Sequence, residues 1–345
     1  MQIRMGTFAF TYFFILFTRQ MDAMRVPFEQ VKQEFKRVLL GCSFTEERAG
    51  LCADIFASNS RDGVHSHGLN RFPVFISFVK DGFVKPDAEP VLADSYGCIE
   101  HWDGQQGAGM YNATVCMERA IALAQGSGFG CVTLKNTNHW MRGGTYGWQA
   151  ANAGCVGICF TNTIAGMPAW GGSVPALGNN PFVIAVPRAN NEHVVLDMAM
   201  TQFSYGKLQE YELNKQPLPV YGGYDEAGNL TTDAAAIRRT RRALPTGYWK
   251  GSGLAMILDI LLVALSGGKS TARITMDQKE TGLSQCFICI KQPDLHPQLI
   301  EEILNYTRAT SGGVYPGEHT LKKRMESLEK GVLVNEDIWN AILKM

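Results

Sequence analysis

The chain reads as an α/β protein with helices at both ends and strands gathered in its middle. Three observations predict this. Apolar residues recur at helical spacing before residue 125 and after residue 299. Between Cys131 and Met198 the pattern changes to period two or to continuous apolar runs. The 36 glycines supply the tight turns and close approaches that link such segments. At 345 residues the chain makes two domains or one large one, with a core that needs no staples.

The elements follow in order. Val31, Phe35, Val38 and Leu39 mark a helix from Phe28, and Gly41 ends it. Ser43 with Glu46 matches a capping box for a second helix through Ala57. Asp62 to Pro73 is rich in turn residues, and a short helix covers Val74 to Lys80. Residues 112–125 form an amphipathic helix broken by Gly126, Gly128 and Gly130. Cys131 to Leu134, Cys155 to Thr161, Phe182 to Val186 and Val194 to Met198 read as strands. The helix from Ser252 to Leu265 is apolar almost all round, which predicts burial. A late strand, Cys286 to Ile290, precedes helices at Leu299–Thr307 and Asp337–Leu343.

Composition excludes several classes. Apolar residues at 46% and charged residues at 19% exclude a disordered chain. With 32 basic and 32 acidic side chains the net charge is zero, so the basic excess of a nucleic-acid binder is missing. Arg238, Arg239, Arg241 and Arg242 read as a solvated helix face. The nine cysteines are odd in number and scattered, with no second Cys-x-x-Cys to match Cys286 and Cys289. They read as buried, reduced thiols in a cytosolic protein. Thr7 to Phe17 is apolar but too short to span a bilayer, and no small-x-small cleavage site follows it. Residues 1–23 are therefore expected to be an appended segment or an over-early start, with export as the alternative.

Three segments carry candidate chemistry. In His65-Ser66-His67-Gly68-Leu69-Asn70-Arg71, histidine suits proton transfer near neutrality, and arginine offers a fork that fits a carboxylate. A helix-capping loop is an equal reading on composition alone. Asn138-His139-Trp140-Met141-Arg142-Gly143-Gly144 follows a strand and precedes a helical stretch, where α/β sheets place ligands. There His139 is a second acid/base or a donor to a carbonyl. Tyr248-Trp249-Lys250-Gly251-Ser252-Gly253 sets glycines and a lysine at a helix start, a phosphate site or simply helix packing. No Gly-x-Gly-x-x-Gly follows a strand, and Gly104 to Gly109 stands in the wrong context for one. Any dinucleotide must bind a fold other than Rossmann's. Asp197, on an apolar strand, needs a partner or a ligand. Gly317-Glu318-His319 reads as a turn that could meet a ribose or only solvent.

These pieces resemble the malate/L-lactate dehydrogenase family that lacks a Rossmann fold, the L-sulfolactate dehydrogenase-like family. The residues that carry the likeness are Ser66-His67-Gly68 with Arg71, Asn138-His139, Asn179-Asn180-Pro181 and Trp249-Lys250-Gly251. It runs from about Met24 to the carboxyl end. The resemblance implies a non-Rossmann mixed sheet in one unit over 24–345. Its parts would be helical at about 24–125, the sheet and cofactor region at about 126–290, and helices at about 291–345. It implies a homodimer that binds NAD(H), while the residues themselves point to a cytoplasmic protein with no metal, no nucleic acid and no membrane. By the same likeness His67 is the proton donor, His139 lies near the reacting carbonyl, and Ser66 and Arg71 hold the substrate. Thr163, His193, Val194, Val195, Leu196, Asp197, Met198, Ala199, Trp249, Lys250, Gly317, Glu318 and His319 line the cofactor.

The implied reaction is NADH-dependent reduction of a 2-oxo sugar acid, with malate, L-lactate or a related 2-hydroxy acid as the alternative substrate. Trp140-Met141 departs from the family's usual Phe-Gly and is expected to reshape the substrate side. A remote alternative is a metal-dependent lyase or hydrolase built on His65, His67, His139 and Asp197. Because the amphipathic pattern starts only after Met24, deletion of residues 1–23 is expected to leave a soluble, active enzyme. Turnover and gel filtration of the truncated chain check this, and lost activity would put the segment inside the fold.

Overall fold

The computed structural model describes residues 24–345, so the segment 1–23 lies outside the described residues. β1 (Arg25–Val26) leads into α1 (Phe28–Gly41), whose Val31, Phe35, Val38 and Leu39 are buried as their spacing predicts. α2 (Glu46–Arg61) is capped by Thr45, whose hydroxyl accepts from the Arg48 N–H. Ser43 is not the cap. It is left-handed, at φ 67°, and lies outside the first turn. After a 3₁₀ turn at His65–His67 comes α3 (Phe72–Lys80), which starts ahead of the expected Val74, with Pro73 in its first turn.

The hairpin β2 (Val91–Tyr96) and β3 (Ile99–Asp103) precedes α4 (Gly109–Ser127). This helix runs through Gly126 and stops where Gly128 takes φ 85°, the left-handed end that glycine adopts without strain. Then come β4 (Phe129–Thr137), α5 (Gly144–Asn152), β5 (Val156–Thr161), the small ribbon β6 (Ala165–Pro168) and β7 (Pro175–Gly178), β8 (Phe182–Val186) and β9 (Val194–Met198). An excursion of α6 (Tyr205–Leu213), β10 (Gly223–Tyr224), β11 (Leu230–Thr231) and α7 (Ala234–Thr240) leads to α8 (Trp249–Ser266) and α9 (Thr271–Met276). The chain closes with β12 (Leu283–Ile290), α10 (Pro297–Ser311), α11 (Glu318–Lys330), β13 (Val332–Leu333) and α12 (Glu336–Leu343).

One seven-stranded sheet organises these elements, in the order β2-β3-β4-β12-β5-β8-β9. Only β3 and β4 are parallel; every other neighbouring pair is antiparallel. A doubly wound nucleotide fold needs a mostly parallel sheet, so this mixed α/β architecture is not one. Alternation along β12 shows the layering: Phe287 and Cys289 join Met117 of α4 and Ala150 of α5 in one core, while Cys286 faces Leu258 and Leu262 of α8 on the other side. The N-terminal helices form a separate aromatic core in which Phe35, Phe56 and Phe72 meet Trp339 of α12. β1 pairs with β13 beside it, so the two ends of the described chain close on each other.

The prediction of a buried α8 is corrected. Ala255, Leu258 and Leu262 are buried, but Leu254, Ile257 and Leu261 on one line and Met256, Ile260 and Val263 on another are exposed, Ile260 at 55%. An all-round apolar helix has no periodicity to separate a sheet-facing side from a second apolar side left open to another surface. The expected turn at Gly317-Glu318-His319 is the start of a helix: the chain turns at Pro316 and Gly317, Gly317 caps α11, and Glu318 is its first residue.

The N-terminal helices, the sheet and α11 are tied together by ions. Asp62, at the end of α2, keeps only 4% of its side chain exposed. Its Oδ2 accepts from Arg142 Nη1 at 3.0 Å and Arg324 Nη2 at 2.7 Å, and its Oδ1 from Arg324 Nε at 2.9 Å and Arg61 Nε at 2.9 Å. Burial alone would raise this carboxyl, but Arg324, Arg142 and Arg61 outweigh it and hold it below the usual range. Removing one partner from a buried pair strands the others. Asp62→Ala is therefore expected to cost about 3–5 kcal/mol of unfolding free energy. A urea midpoint shift at constant slope measures it, and a loss under about 1 kcal/mol would mean that the arginines are satisfied by solvent.

Candidate active site

His67 is placed by the chain reversal after α2. Asn59 Nδ2 donates to the His67 carbonyl at 2.9 Å, and Leu69 N–H donates to Ser60 Oγ at 2.8 Å. This brings Gly68 against α2 so closely that a Cβ there would stand 2.2 Å from Ser60 Oγ. Glycine after the histidine is thus a packing requirement. Ser66 Oγ and His67 Nδ1 share a hydrogen bond of 3.1 Å, which leaves Nε2 for other work.

His139 follows β4, at the end of a strand, and Asn138 anchors it. Buried Asn138 donates from Nδ2 to the carbonyls of Phe83, Gln106 and Gly107, at 3.1, 2.9 and 2.9 Å. His139 Nδ1 accepts the Met141 N–H at 3.0 Å. In the neutral ring this assigns the proton to Nε2, so His139 is a donor on its open side. The rings of His67 and His139 lie nearly parallel, 17° apart, with centroids separated by 5.7 Å.

Two cavities meet at Ser66, His67, Asn179 and Ser204. The larger, about 540 Å³, is walled by Arg142, Gly143, Val195, Leu196, Asp197, Ala199, Tyr315 and Gly317. The smaller, about 360 Å³, is lined by Arg71, His139, Tyr205, Arg238, Arg241 and Glu280. Arg71 Nη2 donates to Glu280 Oε2 at 3.2 Å. Asp197 accepts from the Gly144 N–H at 2.9 Å and faces Arg142 Nε at 3.6 Å, so the expected partner of this strand carboxylate is within the protein. A quarter of its side chain still opens on the cavity. Burial pushes its carboxyl up, against Arg142 and the Gly144 N–H.

The expected site residues do not all converge. Ser66, His67, Arg71, His139, Val195, Leu196, Asp197, Ala199 and Gly317 line the joined cavities. Thr163 is buried behind them, its hydroxyl donating to Asn179 Oδ1 at 2.9 Å. His193 lies beneath the cavity wall; its Nδ1 accepts from Arg188 N–H and its Nε2 is 2.9 Å from Asn152 Oδ1. Val194 is half-buried and outside the lining, and Met198 packs on the core of Met167, Met200 and Ala255. Glu318 is held by Arg308 and Lys322, and His319 is exposed. Trp249 and Lys250 are exposed on the first turn of α8, outside both cavities.

Trp140 does not reshape the substrate side. It is 1% exposed and packs on Tyr146 and Phe287, while Met141 lines the larger cavity. Sequence reading gave no role to Asp62, Ser204, Tyr205 or Glu280. Asp62 looked like one half of an Asp-Gly turn, and Glu280 lies in an unpatterned loop.

The larger cavity fits a dinucleotide. Gly317, at φ 99°, brings the chain so close to β9 that a Cβ would lie 3.2 Å from the His193 carbonyl and the Val195 nitrogen. Gly143, on the cavity wall, and Gly144 beside it are packed so closely that a Cβ would meet Val183 at 2.9 Å or Asp197 Oδ2 at 2.8 Å. A backbone-lined cleft with one carboxylate at its wall suits ribose and amide groups.

Both histidines titrate far below their usual range, each near pH 3. Burial is the first cause, with His139, Arg71 and Arg142 adding to it for His67, and Arg71 for His139. Glu280 opposes the shift at His67. The unfolded chain binds these protons from about pH 6.5 downward and the folded one does not, so stability falls as pH drops from 6.5 towards 3. Each histidine contributes at most about 1.4 kcal/mol per pH unit. Urea unfolding between pH 6.5 and 5 checks this: the double variant H67N/H139N is expected to flatten the slope, and an unchanged slope would assign the pH dependence to other groups.

The family model described as malate/L-lactate dehydrogenase matches residues 26–343. The 2,3-diketo-L-gulonate reductases of Citrobacter koseri and Escherichia coli are each 43% identical over 331 residues, covering 92% of this chain and 99% of the relative. Among solved structures, sulfolactate dehydrogenase from Methanocaldococcus jannaschii superposes with a TM-score of 0.81 at 28% identity, covering 92% of this chain and 95% of that one. Malate dehydrogenase from Entamoeba histolytica has the same fold, with a TM-score of 0.89 at 24% identity over 93% and 97% of the two chains. The chain belongs to the malate/L-lactate dehydrogenase family, and it is an oxidoreductase acting on a CH–OH group with a nicotinamide cofactor.

Proposed function

We propose that the chain reduces 2,3-diketo-L-gulonate to 3-keto-L-gulonate with NADH. The observation that carries this is the pair of near-parallel histidines beside Arg71, at the junction of a polar cavity and a dinucleotide-sized cleft. The relatives named above supply the substrate. NADH rather than NADPH is favoured because Arg142 is already engaged by Asp62, Asp197 and Thr320, and Asp197 would repel a 2′-phosphate.

The bound nicotinamide supplies the hydride to C2. Arg71 spends only Nη2 on Glu280, so its other edge takes the C1 carboxylate. His139 donates from Nε2 to the C2 oxygen and stabilises the charge that develops there. His67 gives that oxygen its proton. In the protein alone both rings are neutral at pH 7, and a carboxylate docked on Arg71 offsets one of the cations that hold His67 down. Ser66 fixes the ring through Nδ1, and Ser204 closes the junction.

The reading includes a cytosolic homodimer. A second copy on the exposed face of α8 would cover its apolar residues and leave Trp249 and Lys250 at the seam, close to a neighbour's cleft. Nine free thiols suit a reducing compartment. Nucleic acid and membrane are not partners on this reading.

A second reading has its own observation. Arg241 lines the substrate cavity with no ion pair among the described residues, and an unpaired guanidinium there favours a second carboxylate, as in a 2-oxo dicarboxylic acid. A panel of 2-oxo acids followed by nicotinamide absorbance separates the two. The wild type is expected to turn over 2,3-diketo-L-gulonate with kcat/KM at least about tenfold above pyruvate or oxaloacetate. His67→Ala should lower kcat by about 100-fold while leaving NADH binding intact. Faster turnover of oxaloacetate selects the dicarboxylate reading, and a normal kcat in H67A moves the donor role to His139 or water.

A further inference from the structure

Among the described residues, Glu280 is the only carboxylate that lines the smaller cavity. It lies in the turn between α9 and β12, between two left-handed residues, Gln278 at φ 55° and Gly282 at φ 71°. One oxygen, Oε2, is 3.2 Å from Arg71 Nη2. The other, Oε1, has no hydrogen-bond partner among the described residues, and 18% of the side chain is accessible. Among the described residues Arg71 in turn keeps Nε and Nη1 without a hydrogen-bond partner. The pair therefore presents two unused faces side by side, a donor edge on the arginine and an acceptor on the glutamate.

These faces ask for different groups. A substrate carboxylate satisfies the arginine edge. The glutamate oxygen, being acceptor-only when ionised, accepts only a group that carries hydrogen. A second carboxylate brought there would meet like charge, which disfavours it. Arg238 does not change this balance, since Glu212 already pairs with it. Arg241 pulls the other way, so dicarboxylates report which of the two charges governs the cavity.

We propose that Glu280 determines substrate choice: its open oxygen accepts a hydroxyl of the chain beyond the reacting carbonyl and turns away a second carboxylate. This rests on the sugar-acid reading above and assigns the residue that enforces it.

The test is steady-state kinetics of full-length E280Q and E280D with NADH on three acids. 2,3-Diketo-L-gulonate carries hydroxyls, pyruvate carries neither group, and oxaloacetate carries the second carboxylate. In E280Q, kcat/KM is expected to fall about 10- to 100-fold for the sugar acid and to change less than about threefold for pyruvate. It should rise about tenfold for oxaloacetate, with the KM for NADH unchanged. E280D, which keeps the charge, should retain the wild-type order of substrates. An equal fall on all three acids would overturn the proposal and make Glu280 a brace for Arg71. Unchanged ratios would overturn it as well. If the wild type itself prefers oxaloacetate, the sugar-acid reading fails, and the oxaloacetate-to-pyruvate ratio in E280Q still judges the exclusion of a second carboxylate.

Discussion

The walls of the larger cavity depend on one buried carboxylate. Asp62 gathers Arg61 from its own helix, Arg142 from the segment after β4 and Arg324 from α11. Arg142 then reaches Thr320 and Asp197 with its remaining nitrogens. Three parts of the chain, far apart in sequence, are fixed against each other by charge, and their junction forms one wall of the cleft. No apolar contact could do this as specifically, since a hydrophobic surface tolerates sliding and a guanidinium fork does not. The cost is borne by enclosure: such a cluster holds only when every charge in it is matched.

Close backbone approach is the second constraint, and it sets the two histidines. Gly68 lets the turn that carries His67 close on Ser60, and Gly206 lets the first turn of α6 press on Ser66, where a Cβ would fall 2.2 Å from the serine Cβ. Gly109 does the same for the other side: a Cβ there would lie 2.1 Å from the Asn138 carbonyl, directly before His139. The glycine cluster from Gly104 to Gly109, which has the wrong context for a phosphate loop, is therefore packing for the base of the site. His67 and His139 come within 5.7 Å because both of their loops are pressed inward by glycines rather than drawn together by a bond.

These causes explain what was legible in the sequence. Elements with a clean period were readable: α1, the core of α4, and the strands β4, β5, β8 and β9 all lie where apolar spacing puts them. The local clusters around His67 and His139 were visible because their chemistry is contiguous. The edge strand β2 was not, since its six residues are all exposed and no face is apolar enough to show alternation. α11 was missed because it is mostly charged, with only Ser327 buried, and ion pairs hold it in place instead of an apolar stripe. Asp62 and Glu280 were illegible for a related reason. Each acts through an arginine far away in the chain, 80 residues off for Asp62 and Arg142 and 209 for Glu280 and Arg71. A single sequence carries no trace of such pairings. α8 failed in the opposite way, because two apolar faces erase the period that would have distinguished them.

The electrostatics of the cavity then follow from this framework. Arg71, Arg142 and Arg241 surround a space whose nearest carboxylates are Glu280 and Asp197, and the imidazoles between them stay neutral. A field of that sign attracts an acid and disfavours a standing charge on histidine. A proton donor that was permanently charged would bind the acid by itself and compete with Arg71 for the carboxylate, which would let the substrate seat in more than one orientation. On the proposed mechanism, imidazoles that stay neutral leave Arg71 as the group that seats the carboxylate, which favours a single orientation of the acid. Burial is the largest cause of the low basicity of His67, and it keeps that ring from competing with Arg71 in the free protein.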